Sequence, residues 1–283
     1  MLNLSRHIMQ RKYSKTIKII FLIAFCAAPF SFADKKPNIL TISSTTSTND
    51  SGFYDYIVPI YNKNSSLDVR IISVGTGQAL EIAKRGDADM VIVHHKESEI
   101  NFVKHHHGLK RHALMYNKFV VVGPLSNPAN IKTNDSIFTI LKKIKGCKCN
   151  FISRGDNSGT HKRELELWER INHTPDPKRN KWYKETGLGM GQTLNITTAL
   201  LGYTISDSAT WLNFNNKLGL EVFSGNDEML KNIYTAIAVN PEKHPHINIK
   251  QAEAFIKWLH SEEGRNAIVS YKIRGTQAFY MND

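Results

Sequence analysis

A run of glycine, hydroxyl and basic residues at positions 151 to 161 has the composition of an anion-binding turn. It reads Phe-Ile-Ser-Arg-Gly-Asp-Asn-Ser-Gly-Thr-His. Phe151–Ser153 is predicted to end a strand, and Glu164–Ile171 to form a helix. A helix N-terminus leaves about four backbone N–H groups without intrahelical partners, and the guanidinium of Arg154 adds charged donors in a fixed planar arrangement. We therefore expect Arg154, Ser158 and Thr160 to bind an oxyanion.

The same residues have two other interpretations. An ordinary helix start needs only Ser158 or Thr160 as its N-cap, with Arg154 paired to Asp156. Ser158, Asp156 and His161 also have the residue types of a catalytic triad. Three residues so close in sequence cannot easily form the relay geometry, and no Gly-x-Ser-x-Gly turn is present. A secreted serine hydrolase is therefore the weaker alternative.

A second polar run, Ser44 to Gly52, lies near the start of the chain and reads Ser-Thr-Thr-Ser-Thr-Asn-Asp-Ser-Gly. It follows an expected strand, Asn38–Ser43, and precedes an expected helix, Phe53–Tyr61. These nine residues contain almost no apolar side chain, which is more than helix capping requires. We therefore predict a ligand-binding loop. Its candidate donors are Ser44, Thr45, Thr46 and Ser47.

A third turn follows the next expected strand, Asp68–Val74. The residues Gly75-Thr76-Gly77-Gln78 lead from it into an expected helix, Ala79–Lys84, and Met90–Val93 is a third strand. Strands that alternate with helices predict a parallel sheet, and ligands of such sheets bind beyond the carboxyl ends of the strands. The second polar run and this turn thus indicate one crevice. The candidates in this turn are Thr76 and Gly77.

Two later apolar segments predict strands that cross between two lobes. These are Ala113–Val122 and Tyr234–Val239. The chain is therefore expected to be α/β, with a discontinuous first lobe made from both ends and a second lobe between them. The predicted boundaries are 34–122 and 233–283 for the first lobe and 123–232 for the second. Further helices are expected at Ser136–Lys145, Leu194–Leu201, Ser208–Phe214 and Lys250–Leu259, with a strand at Tyr203–Ser206.

The first 33 residues have the features of a secretory signal peptide. Five basic residues and no acidic ones accompany an apolar run, Ile19 to Phe32, and cleavage is expected after Ala33. The run is too short to span a membrane comfortably, and the bulky Phe25 before Cys26 argues against a lipoprotein. Removing these five basic residues lowers the formal charge from +12 to +7. We expect the mature chain in the periplasm.

Local patterns do not indicate nucleic-acid or metal binding. The lysine cluster at positions 142–148 lacks the interleaved aromatic residues of a nucleic-acid surface. Six histidines lie between His94 and His112, but adjacent histidines diverge in direction and no pair has zinc-ligand spacing. We expect no metal site and no cofactor. The mature chain keeps Cys147 and Cys149, whose redox state the sequence leaves open.

Several motifs together resemble the TupA family, the periplasmic tungstate-binding proteins of tungstate ABC importers. The motifs are Ser-Thr-Thr-Ser-Thr at 44–48, Val-Gly-Thr-Gly-Gln at 74–78, Gly-Asp-Ala-Asp at 86–89, Met-Tyr-Asn-x-Phe-Val at 115–120, Ser-Arg-Gly-Asp-Asn-Ser-Gly-Thr-His at 153–161 and Gly-Met-Gly-Gln-Thr-Leu at 189–194. The family pattern usually begins Thr-Thr-Thr-Ser, and this chain has Ser44 in the first place. Serine keeps a hydroxyl and a backbone donor there.

The resemblance implies a two-lobed periplasmic binding protein fold of type II, with the anion in a cleft between the lobes. It implies a monomer that captures tungstate, and also molybdate, and passes it to the membrane permease of an ABC importer. The residues that match its cleft motifs are Ser44, Thr45, Thr46, Ser47, Thr76, Gly77, Arg154, Ser158 and Thr160. No enzymatic activity is expected.

Molybdate, phosphate and sulfate are the competing ligands. A phosphate that still carries a proton needs an acceptor carboxylate, and Asp50 and Asp156 are the candidates. If both pointed away from the cleft, a fully ionised anion would be favoured, because an ionised aspartate repels it. Tungstate and molybdate have nearly the same size and charge, so only the family resemblance separates them.

Overall fold

The computed structural model describes residues 38–63, 65, 67–224 and 227–282. The predicted signal peptide lies outside the described residues. Within the described part of the chain, none of the helices has both the length and the apolar character needed to cross a membrane.

In the described residues the chain forms twelve strands, ten α-helices and one turn of 3-10 helix at Glu228–Leu230. The strands are β1 Ile39–Thr45, β2 Asp68–Val74, β3 Met90–Val93, β4 Gly108–Pro124, β5 Phe151–Ser153, β6 Tyr183–Glu185, β7 Thr204–Asp207, β8 Leu220–Val222, β9 Lys231–Val239, β10 Lys272–Ile273, β11 Thr276–Gln277 and β12 Tyr280–Met281. The helices are α1 Thr46–Asp50, α2 Phe53–Asn62, α3 Thr76–Lys84, α4 Lys96–Lys104, α5 Ile137–Cys147, α6 Gly159–Glu169, α7 Met190–Leu200, α8 Ser208–Asn213, α9 Ile249–His260 and α10 Glu262–Ser270.

The predicted parallel arrangement of the first three strands is confirmed. In the largest sheet the order is β12-β4-β9-β3-β1-β2, and β1 pairs in parallel with both β2 and β3. Strand β1, between β3 and β2, carries Leu40 and Ile42 on one face, and both are fully buried in the apolar core. The carboxyl ends of these three strands therefore lie at one edge, where α1 and α3 begin.

Strand β4 is the longest, and it changes partner along its length. Its first part pairs antiparallel with β9, up to Lys118 opposite Lys231. Its second part pairs with β7 from Phe119 to Val122 and with β8 at its end. One strand thus connects two sets of neighbours.

The apolar core divides in a similar way. One cluster takes most of its members from before residue 116 and after residue 233, with Phe53, Tyr234 and Phe255 among its largest fully buried side chains. A second cluster lies wholly between Phe119 and Leu230 and includes Trp168. Burial of each such side chain contributes about 1.5–3 kcal/mol, so each cluster provides a substantial core of its own.

Several element boundaries differ from the predictions. The polar run after β1 was predicted as a loop, but its residues 46–50 form the short helix α1, capped by Thr45. Helix α3 begins at Thr76 and α6 at Gly159, earlier than predicted. The sequence did not indicate α4, α10 or the short strands β6, β8 and β10–β12. Cys147 and Cys149, whose state was left open, form a disulfide.

Candidate anion-binding site

The starts of α1, α3 and α6 meet at one place. Two hydrogen bonds join them across more than eighty positions of sequence. The Oγ1 of Thr46 accepts from Arg154 Nη2 at 3.2 Å, and the Oγ1 of Thr76 accepts from the backbone N–H of Gly159 at 2.9 Å. Three strand-turn-helix units therefore contribute to a single cluster of donors.

The first wall of this cluster is a set of linked hydroxyls. Thr45 Oγ1 lies 3.2 Å from Ser47 Oγ and 2.7 Å from Thr48 Oγ1. Ser47 Oγ in turn lies 3.2 Å from Nε2 of His94. All four side chains are buried. Hydroxyls can rotate to donate or accept, so this wall can turn several O–H groups toward one anion.

Gly77 and Gly159, at the starts of α3 and α6, form the second wall of the cluster and allow it to lie close to the first. A Cβ on Gly159 would lie 2.8 Å from His94 Cε1 and 2.9 Å from Thr76 Oγ1, and a Cβ on Gly77 would lie 2.8 Å from Asn157 Nδ2. Real Cβ atoms do not come this close to their neighbours. Glycine at these positions therefore lets the starts of α3 and α6 pack together.

Arg154 supplies the positive charge of the cluster. It is 2% exposed, and its Nε donates to the carbonyl of Leu188 at 3.2 Å. Its Nη2 also donates to Asp156 Oδ2, while Asp156 Oδ1 accepts from the backbone N–H of Ser158 at 3.2 Å. Asp156 thus lies within the cluster and compensates the charge of Arg154.

Two buried polar atoms of the cluster have no hydrogen-bond partner among the described residues. They are Oγ1 of Thr160 and Nδ1 of His94, on side chains that are 1% and 6% exposed. Buried polar groups in native proteins are nearly always paired, and an unpaired one costs about 1–3 kcal/mol. A polar ligand in this cluster could supply the hydrogen bonds that these two atoms lack.

Burial controls the protonation of the groups at this site. Desolvation, together with the charge of Arg154, lowers the pKa of His94 to about 3, so the ring is neutral near pH 7. Burial also raises the pKa of Asp50, opposed by a hydrogen bond from the backbone of Gly191 and by the charge of Arg154. The site therefore combines a neutral histidine and neutral hydroxyls with the cation of Arg154 and its counter-charge, Asp156.

Comparison with known proteins identifies the family. The model for the PBP superfamily domain matches residues 34–263. The tungstate-binding protein TupA of Peptoclostridium acidaminophilum is 42% identical over 234 residues, 82% of this chain and 81% of that one. The chain belongs to the TupA family.

Two solved structures agree with this assignment. The tungstate-binding protein TupA from Desulfovibrio alaskensis G20 has a TM-score of 0.74 and 36% identity, and the match covers 87% of this chain and 99% of that one. The tungstate ABC transporter structure from Geobacter sulfurreducens has a TM-score of 0.75 and 38% identity, with 82% and 98% covered. This TupA-family chain has the type II periplasmic binding protein fold.

The structure brings together most of the residues predicted from the TupA-family motifs. Seven of the nine lie at the three helix starts: Thr45, Thr46, Ser47, Thr76, Gly77, Ser158 and Thr160. Arg154 follows β5 and joins them through its hydrogen bond to Thr46. The hydroxyl of Ser44 is not brought into this group. It donates to the carbonyl of Ile92 at 2.7 Å and pairs with the Tyr54 hydroxyl at 2.5 Å. The reason is that β1 extends to Thr45, so Ser44 is a strand residue inside the sheet.

The residue types of a catalytic triad do not form one in this TupA-family chain. Ser158 is the N-cap of α6, and its Oγ accepts from the backbone N–H of His161 at 3.2 Å instead of pairing with the ring. The ring of His161 accepts through Nδ1 from the N–H of Asn157. Asp156 is paired with Arg154. The relay geometry of a serine hydrolase is absent from these residues, and the relatives named above are binding proteins.

Sequence reasoning missed two residues of the site, His94 and Thr48. The signal for His94 was its position directly after the buried strand β3, at the same sheet edge as the other candidates. It was instead grouped with the other histidines between positions 94 and 112, which were considered only as metal ligands. Thr48 is part of the polar run and of the motif at 44–48, but it was not among the predicted donors.

Proposed function

We propose that this TupA-family chain is the extracytoplasmic binding component of an ABC importer and captures tungstate, and also molybdate. The observation that carries the proposal is the convergence of Arg154 with the starts of α1, α3 and α6 around buried hydroxyls. It is supported by the names of its relatives, which are tungstate-binding proteins in Peptoclostridium acidaminophilum and Desulfovibrio alaskensis G20.

The energetics of such a site are sufficient without a metal ion. A hydrogen bond to a charged group contributes about 1.5–3 kcal/mol. About six to eight of them would sum to roughly 10–20 kcal/mol before the costs of ordering, whereas a nanomolar dissociation constant needs about 12 kcal/mol. The donors would be Arg154, the hydroxyls of the first wall and Thr160, the first backbone N–H groups of α3 and the N–H of Thr160. The N–H groups of Gly159 and His161 already donate to Thr76 and Ser158.

Capture requires the two walls to separate. Ser47, Thr76, Arg154 and Thr160 are each at most 2% exposed, so a hydrated dianion cannot reach them in the conformation described above. We propose a hinge in β4 where its partner changes from β9 to β7, next to Lys118 and Phe119. The first lobe would comprise 34–122 and 233–283 and the second 123–232. The division of the core supports these bounds to within a few residues, since Phe119 and Val121 pack in the second cluster. Hinge closure around a ligand is common in such proteins.

The proposed partner is the membrane permease that receives the loaded protein. The signal peptide 1–33 would direct the chain to the periplasm, where a monomer would bind its ligand. No cofactor is involved in this proposal, because the donors alone complete the anion shell.

Other oxyanions are the alternative ligands. A fully ionised anion would have been favoured if Asp50 and Asp156 both pointed away from the cleft. Asp156 lies within the cluster, so this test does not exclude a protonated phosphate. Calorimetric titration with tungstate, molybdate, sulfate and phosphate decides the question. We expect tight binding of tungstate and molybdate, with tungstate tighter. Higher affinity for sulfate or phosphate than for either would overturn the proposal.

A further inference from the structure

A second cluster of polar side chains lies beside the anion site and differs from it in chemistry. Its members are His95, Glu97 and Glu166, each of which offers one ligand atom, and these atoms all lie within 4.8 Å of one another. They line a cavity of about 410 Å³. We propose that these three side chains form a binding site for a first-row divalent cation such as Zn²⁺.

The distance between the ligand atoms of His95 and Glu166 fits a cation bound to both. His95 Nε2 lies 3.0 Å from Glu166 Oε1. Two ligand atoms that are each about 2.1 Å from Zn²⁺ are about 3.0–3.4 Å apart for bond angles between a right angle and the tetrahedral angle. The His95 and Glu166 atoms need almost no rearrangement. Glu97 must draw in by less than about 2 Å, and it is an exposed side chain in the first turn of α4.

The neighbours of His95 orient its ring. Ser98 Oγ lies 2.8 Å from His95 Nδ1. The backbone N–H of Ser98 also donates to Nδ1, at 3.3 Å, as the N-cap of α4. Cation binding at Nε2 requires the neutral ring to carry its proton on Nδ1, so this capping bond would be given up and the Nδ1–H would donate to Ser98 Oγ instead. The proton therefore moves from Nε2 to Nδ1 and none is lost. A second hydrogen bond that fixes the tautomer and orientation of the ring is a regular feature of metal-binding histidines.

Glu166 has one oxygen for the cation and one for an arginine. Its Oε2 accepts from Arg163 Nη1 at 2.7 Å, which holds the carboxylate in place and leaves Oε1 toward His95. Glu97 has no hydrogen-bond or ion-pair partner in the described part of the chain. One imidazole with two carboxylates suits Zn²⁺, Co²⁺ or Mn²⁺ better than Mg²⁺ or Ca²⁺, which prefer oxygen ligands alone.

The cavity also contains groups that oppose a cation. Lys96, Arg163, Arg170 and Lys231 line it together with Glu169. Their positive charges lower cation affinity, so we expect binding in the micromolar range and not the nanomolar range. The cavity leaves room for water molecules to complete the coordination shell.

The site links α4 to α6, which begins at the anion cluster. On the function proposed above, a cation that holds these helices together would also favour the conformation that binds the anion. The cation site itself does not depend on that function, because it is tested without any oxyanion present.

The test is a titration of the untagged chain with Co²⁺, followed by visible absorption and by equilibrium dialysis. We expect one Co²⁺ per chain. Glu97→Gln and Glu166→Gln should each weaken binding by about tenfold or more, as loss of groups at metal sites does. Thermal unfolding followed by circular dichroism checks that the variants fold. Should Glu166→Gln fail to fold, Glu97→Gln carries the test, because that side chain is exposed.

Two controls separate this site from other histidines and acids. Glu169→Gln removes the same charge from the same cavity and should change Co²⁺ affinity less than about twofold. The double variant His105→Gln with His107→Gln removes the neighbouring histidine cluster and should leave the site intact. Binding that survives both Glu97→Gln and Glu166→Gln, or that is lost in the histidine double variant, overturns the proposal. So does failure to bind Co²⁺ at any concentration up to the millimolar range.

Discussion

Two adjacent histidines belong to two clusters of opposite character. His94 is 6% exposed, and its Nε2 contacts the Ser47 hydroxyl among neutral donors near Arg154. The side chain of His95 is 11% exposed and contacts the carboxylate of Glu166 in a cavity that holds further acids and bases. One cluster is built to receive a negative charge and the other already contains several.

The difference shows how burial selects the chemistry of a site. Near His94, burial keeps the ring neutral and allows a single cation, Arg154, with Asp156 as its counter-charge. Near His95, partial exposure tolerates several ionised groups, and the hydrogen bond from His95 lowers the pKa of Glu166 to about 2. A dry cluster can bind an anion through donors that need no hydration shell of their own. The more exposed cluster around His95 can replace contacts between its own side chains with contacts to water or to a ligand.

The two arginines give the sharpest comparison of the clusters. Arg154→Ala should weaken tungstate binding by at least about 2 kcal/mol, roughly 30-fold, because a charged donor is lost from a buried site. Arg163→Ala removes an arginine from the second cluster and should change tungstate affinity by less than about threefold. Calorimetry measures both. Equal effects of the two substitutions would remove the distinction between the clusters.

The unpartnered hydroxyl of Thr160 separates ligand binding from stability. Thr160→Val keeps the shape of the side chain and should weaken tungstate binding about tenfold, while the free energy of unfolding stays the same or rises because an unpaired buried hydroxyl is removed. Thr204→Val is the matched control. Its hydroxyl donates to the carbonyl of Ile152 at 2.7 Å, so that change should cost about 1 kcal/mol of stability and leave affinity unaltered. Denaturant unfolding and calorimetry on both variants check this, and reversed roles would contradict it.

A substitution of Asp156 tests whether the site prefers a fully ionised anion or a protonated one. Asp156→Asn removes a negative charge that contacts Arg154, so the affinity for fully ionised tungstate should rise, by less than about tenfold since Arg154 also loses a partner. Binding of a protonated phosphate should weaken, because the amide is a poorer acceptor for its proton. Titration with both anions measures the two changes. A fall in tungstate affinity with a gain for phosphate would contradict the assignment.

A smaller effect concerns Glu164, which lies on α6 between the two clusters. Burial raises its pKa to about 8, opposed by hydrogen bonds of which that from Tyr183 is the largest. Because the folded state holds this proton more tightly than the unfolded state, whose reference pKa is 4.5, the contribution of Glu164 to stability is complete below about pH 4.5 and is lost as pH rises toward about 8. Between pH 6 and pH 8 the parent should lose free energy of unfolding through this group, by about 1.4 kcal/mol per pH unit or less. Glu164→Gln should remove that part of the loss.

Denaturant unfolding at several pH values measures this slope. Glu169→Gln lies on the same helix at an exposed position and should retain the slope of the parent. A Glu164→Gln variant with an unchanged slope would show that another group is responsible.

Much of the architecture followed from the sequence because it depends on local apolar runs. The parallel strands β1, β2 and β3 and the crossing strands β4 and β9 are long apolar segments, and their order along the chain implies their arrangement. The location of the anion cluster followed from the same logic, since polar turns after parallel strands meet at one edge. Thr46 and Thr76 could therefore be placed at one edge before their contacts were known. Arg154 was joined to them only by the TupA-family resemblance, because β5 lies in a separate sheet.

The remaining features depend on contacts that local patterns do not encode. Serine and threonine have low helix propensity, and α1 forms where Thr45 caps it and α7 and α8 pack against it. The orientation of Ser44 depends on where β1 ends, because side chains alternate between the faces of a strand. The contact of His95 with Glu166 joins residues that are 71 positions apart, beyond any spacing rule for metal ligands.

The most direct test of the anion cluster is a crystal structure of the chain with tungstate, in which the anomalous scattering of tungsten locates the ligand. We predict one tungsten position between the starts of α1, α3 and α6, with its oxygens about 2.7–3.2 Å from Arg154, Thr160 and the hydroxyls of the first wall. A tungsten position outside this cluster, with Arg154 still paired only to protein atoms, would contradict the account.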